Sequence, residues 1–104
     1  MLGLGYKLVA SNGAVENVTD NEWQDILALA IEQGVYVSQL RLANRNDSTD
    51  ILGADAEGLY EALGYALPGI PQLETEDDVL DRNTVHRVRH ILRSGRVRLI
   101  RTRP

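Results

Sequence analysis

His86 and His90 are the only histidines in the chain, and they stand four residues apart. That spacing puts both imidazoles on one face of a helix, as in zinc-binding helices. Their neighbours argue against a metal. Arg87 and Arg89 lie between them, two permanent cations repel a divalent ion, and the glutamate of the metalloprotease pattern is missing. The pair reads instead as an extension of a basic face. The chain has no cysteine, which removes disulfides, thiolate metal sites, iron–sulfur clusters and cysteine nucleophiles together.

Other candidate chemistry is weaker. Asp47, Asp50 and Asp55 suggest calcium, but their spacing misses the EF-hand pattern and no glutamate fills its bidentate last position. A polar, turn-rich loop accounts for them better. Glu74, Glu76, Asp77 and Asp78 gather where a helix would start, a place the macrodipole favours for acids. Ser11, Ser38, Ser48 and Ser94 lack the nucleophile-elbow glycines, and neither histidine has an orienting carboxylate nearby in sequence. Gly3 and Gly5 precede a strand, the wrong order for a dinucleotide loop. The expectation is a non-catalytic protein with no catalytic residue, metal, cofactor or small-molecule ligand.

Charge is the stronger signal. Residues 82–104 hold eight arginines and no acid. Residues 1–81 hold all 15 acids against Lys7, Arg41 and Arg45. The two parts carry +8 and −12, consistent with the net −4. At ~100° per residue, Val85, Val88, Ile91 and Leu92 share one helix face, with Arg82, His86, Arg89, His90 and Arg93 opposite. In the following strand Arg96 and Arg98 alternate with Val97 and Leu99, and the pattern slips at Leu99-Ile100.

The expected partner-binding set is therefore Arg82, His86, Arg89, His90, Arg93, Arg96 and Arg98. A guanidinium fork matches carboxylate or phosphate oxygens. The expected partner is protein, either an acidic surface or a second copy of the chain. Nucleic acid is the alternative through the same face. Net negative charge and the lack of an aromatic in this segment weigh against it.

These side chains need elements to hold them. Residues 6–10 and 14–18 read as a hairpin around Asn12-Gly13, a pair that favours a type I′ turn. Thr19 and Glu22 have capping-box spacing, and Trp23, Ile26, Leu27, Ala30 and Ile31 follow a helical stripe ended by Gly34. Residues 35–42 are β-branched and aromatic, which predicts a strand. Residues 44–53 predict a loop. A second helix is expected over 55–67, weakened by Gly58 and Gly64 at ~1 kcal/mol each. Residues 68–71 form a proline-bounded turn. A third helix begins within the acidic run capped by Thr75, or is capped anew by Asn83, and stops at Gly95.

With 104 residues and 43% hydrophobic content, a single globular domain over 1–104 is expected. Its fold class is α+β: a small, mostly antiparallel sheet made of the hairpin, a central strand and a C-terminal strand, with two to three helices on one face. There is no phenylalanine, so the core must be aliphatic around Trp23 and the tyrosines. No segment reaches the ~18 apolar residues of a membrane span, and the first residues lack a signal-peptide pattern. A cytoplasmic location without membrane contact is expected.

Overall fold

The computed structural model describes residues 5–42, 47–70 and 80–102. Local sequence signals build its first half. Strands β1 (Gly5–Ala10) and β2 (Val15–Thr19) pair antiparallel as a hairpin. The turn is longer than a two-residue type I′. The Gly13 amide donates to the Ala10 carbonyl at 3.0 Å, and the Ala10 amide to the Ala14 carbonyl at 2.8 Å. Gly13 takes φ 91°, a left-handed value that favours glycine, and Asn12 Oδ1 accepts from the Ala14 amide.

Helix α1 (Asp20–Glu32) starts on the expected capping box. Thr19 Oγ1 accepts from the Glu22 amide at 3.1 Å, and Glu22 Oε1 accepts from the Thr19 amide at 2.9 Å. Trp23, Ile26, Leu27 and Ala30 are buried. Ile31 is exposed instead, because the chain reverses at Gly34 (φ 83°) and Val35 bonds back to the Ala30 carbonyl at 3.0 Å. The returning chain covers Ala30, not Ile31.

Residues 35–42 are not a strand. They form a loop with one 3₁₀ turn at Ser38–Leu40. Their carbonyls are taken by core side chains: Trp23 Nε1 donates to Leu40 O at 3.0 Å and the Tyr6 hydroxyl to Leu42 O at 3.1 Å. Val37 and Leu40 are buried by this anchoring. A strand lies instead within the stretch that predicts a loop, and it sits at the sheet edge rather than its centre. Strand β3 (Ser48–Leu52) pairs antiparallel with β4 (Arg96–Thr102), and β4 pairs antiparallel with β1. The sheet order is β2-β1-β4-β3. Only Ile51 of β3 is buried, so this edge strand carries no hydrophobic alternation to announce it.

Helix α2 (Gly53–Ala66) continues into a 3₁₀ turn at Leu67–Gly69, and α3 spans Arg82–Leu92. Asp81, rather than Asn83, caps α3: its Oδ1 accepts from the Thr84 amide at 2.8 Å. The acidic cluster Glu74, Glu76, Asp77 and Asp78 and the expected cap Thr75 lie outside the described residues, as do Arg45 and Arg103.

All three helices cover one sheet face. Tyr6, Leu8, Ala10, Val18, Ile51, Val97 and Leu99 point into that layer and meet Trp23, Leu27, Leu59, Leu63, Val85 and Val88. The fold is α+β, with a four-stranded antiparallel sheet and three α-helices among the described residues. Among the described residues no helix is long and apolar enough to cross a membrane.

A basic surface as the candidate interaction site

The C-terminal cations divide by what surrounds them. On α3 the apolar face is buried as its spacing predicts: Val85, Val88, Ile91 and Leu92, joined by Thr84. Two of the expected contact residues turn inward along the α2 side. Arg82 Nε donates to Ile70 O at 3.1 Å. Arg89 Nε donates to Tyr60 O at 3.0 Å, and its guanidinium stacks 4.0 Å from the centre of the Tyr60 ring.

Gly64 makes room for Arg89. A Cβ there would stand 2.6 Å from Arg89 Nη2. A glycine that only weakens α2 in the sequence is thus also the floor of an arginine pocket. On the other flank of α3, Arg87 Nε bonds Glu16 Oε1 of β2 at 2.8 Å. Arg87 also donates to Thr84 Oγ1, which itself donates to Glu22 Oε2, so the caps of α1 and the body of α3 are linked.

Strand β4 keeps its alternation to the end instead of slipping. Val97, Leu99 and Arg101 all face the helices. Arg101 is only 6% exposed. Its Nη1 donates to Asp20 Oδ1 at 2.6 Å, and the guanidinium lies 4.7 Å from the Tyr6 ring centre. Its Nε has no hydrogen-bond partner among the described residues. Burial opposes this charge, but the Asp20 hydrogen bond and the charges of Tyr6 and Asp20 outweigh it and hold the guanidinium above its usual pKa. Burial also pushes the Tyr6 phenol upward, against the opposing pull of Arg101.

Arg96 and Arg98 face the uncovered side of the sheet, away from α3. The two arginine rows therefore do not merge into one plane. Arg98 Nε lies 3.3 Å from Asp50 Oδ1, its cross-strand partner on β3, and both side chains are well exposed.

His86, His90 and Arg93 remain outward on α3, and Arg96 stands just past the turn at Gly95 (φ 76°). None of these four side chains has a partner among the described residues. Beside Arg93, a cleft of about 580 Å³ opens between α2 and α3. Glu57, Tyr60 and Glu61 line its α2 wall and Leu92 and Arg93 the other. Among the described residues no ion pair joins the two walls. A shallower groove runs from His90 and Arg93 to Asn12 and Ala14 of the hairpin turn.

Of the seven expected contact residues, the structure keeps four outward and without partners among the described residues. It ties Arg82 and Arg89 to backbone carbonyls and Arg98 to Asp50. Among the described residues, no group of three or more His, Asp or Glu side chains is placed to hold a metal ion. Compared with known proteins, the chain matches no family model, no curated protein and no solved structure.

Proposed function

We propose that this chain is a non-catalytic interaction module that meets an acidic protein surface through His86, His90 and Arg93, with Arg96 left on the other side of the sheet. One observation supports the reading. Arg82, Arg87, Arg89, Arg98 and Arg101 are held by acceptors of their own chain, whereas Arg93 and Arg96 project without one among the described residues. A cation already paired gains little from a partner, while an unpaired one steers encounter and fixes orientation. The net charge of −4 and the absence of a stacking aromatic on the outward stripe favour protein carboxylates over nucleic acid. The Tyr60 ring nearby is already covered by Arg89.

The test uses a fluorescent oligoglutamate peptide as the acidic probe, followed by anisotropy. Binding is expected at about 10 mM salt and is expected to weaken markedly by about 0.1 M, as the screening length falls from ~30 to ~10 Å. His90→Glu with Arg93→Glu should abolish it. No binding at low salt, or binding unaffected by the double substitution, contradicts the proposal. Tighter binding to duplex DNA than to oligoglutamate would transfer the surface to nucleic acid.

A further inference from the structure

The partner of this surface can be named more closely from what lies beside it. Helix α2 exposes Ala54, Glu57, Glu61 and Tyr65 in one outward row, and α3 exposes His86, His90 and Arg93 in another. The two helices are neighbours and run in opposite directions. The start of α2 lines a cleft with the end of α3, Gly64 abuts Arg89, and Arg82 reaches Ile70 just past α2. An acidic row and a basic row thus lie side by side on one layer, with Glu57 and Arg93 at the same end.

We infer that a second copy of this chain docks on the α2–α3 layer, each copy's acidic row lying on the other's basic row. The inference rests on the reading above, since it uses the same outward cations. Symmetry supplies the argument. A two-fold axis along the seam between the helices exchanges left and right and keeps the level along the seam. It carries α2 of one copy over α3 of the other, and Glu57 over Arg93 of the partner copy. Opposite charges then meet twice in one isologous interface. Rotation about an axis across the seam would lay acid on acid, so charge selects one arrangement.

Tyr65, 76% exposed, adds an aromatic ring to the α2 row. Exposed tyrosines of this kind are frequent anchors at interfaces. The rows are short. Fourteen and 11 residues give helices of about 21 and 16 Å, a patch below the ~800 Å² per partner of a standard interface. The dimer should therefore be weak and strongly salt-dependent.

Sedimentation equilibrium of the full chain tests this with two charge-reversed variants. One carries Glu57→Arg and Glu61→Arg, the other His90→Glu and Arg93→Glu. All four positions are exposed, and circular dichroism checks that each variant is folded. Wild type should dimerise at low salt and dissociate at high salt. Each variant alone should lose at least tenfold in dimer affinity, and an equimolar mixture should recover a one-to-one dimer. A wild type that stays monomeric, variants that still dimerise, or a mixture that stays monomeric each overturns the inference. The oligoglutamate probe separates the two levels. A monomeric wild type that binds the probe removes self-docking and leaves the acidic-surface reading standing, while one that binds nothing removes both.

Discussion

The inward and outward arginines of the C-terminal quarter have the same side chain and opposite roles. Arg101 lies on the core face of β4, sandwiched between Asp20 and the Tyr6 ring. Arg93 lies at the end of α3 with solvent around it and no partner among the described residues. Arg101 fixes the start of α1 to the inner strand β4, because a buried charge tolerates few positions. The Arg93 side chain pairs with nothing among the described residues, which is what the proposed contact with a second molecule requires. Local polarity does not distinguish them; the strand or helix face that carries each one does.

The sharpest way to break this contrast is at Asp20. Asp20→Ala leaves the Arg101 charge buried and unpaired, with an expected loss of about 2–3 kcal/mol in urea unfolding. That is less than the range for fully enclosed pairs, because the Asp20 side chain is 39% exposed. Arg101→Met keeps the stem's packing and removes the charge, so it should cost clearly less than Asp20→Ala. The opposite order would make Arg101 a surface-type cation.

The cap of α3 comes next. The hydrogen bond donated by the Thr84 amide holds the Asp81 carboxyl below its usual pKa, with Thr84 Oγ1 and Arg87 acting in the same direction. A depressed folded-state value contributes stability above the unfolded pKa and loses it as pH falls through the folded one. The wild type should therefore weaken as pH drops below ~4. Asp81→Asn should remove that part of the pH dependence while keeping an acceptor, and Asp81→Ala should cost about 1 kcal/mol at neutral pH. Thermal melts across pH check both.

Gly64 and Arg89 form a smaller and more diagnostic pair. Gly64→Ala gains ~1 kcal/mol of helix propensity but pushes the guanidinium off Tyr60, so its net effect should be near zero. In an Arg89→Ala background the same change should stabilise by about 1 kcal/mol. Additive effects would mean that Gly64 does not seat Arg89. Smallest of all, Arg87→Ala and Arg98→Ala remove half-exposed pairs with Glu16 and Asp50 and should each cost no more than ~1 kcal/mol.

Features set by neighbours in sequence were legible before the fold. The Thr19–Glu22 box, the buried stripe from Trp23 to Ala30 and the apolar face of α3 follow from spacing alone, and the structure contains each. Features set across the chain were not. Residues 35–42 have strand-like composition, yet Trp23 and Tyr6 claim their carbonyls from elsewhere in the fold. β3 is polar, and its pairing comes from β4. Arg101 breaks the apolar alternation of its strand at a point where the alternation of buried positions continues. Its partner Asp20 is 81 residues away. The only available signal was the period of two running through Val97 and Leu99 to Arg101. The candidate surface was legible as a basic segment, but which of its cations stay outward depended on Ile70, Tyr60, Gly64 and Asp50.

Titration of the isotopically labelled chain with oligoglutamate, followed by amide chemical shifts, tests the division most directly. Salt-sensitive shifts are expected to centre on His86, His90 and Arg93, with Arg87, Arg89 and Arg101 nearly still. Shifts centred on the inward arginines, or none at low salt, would contradict that division.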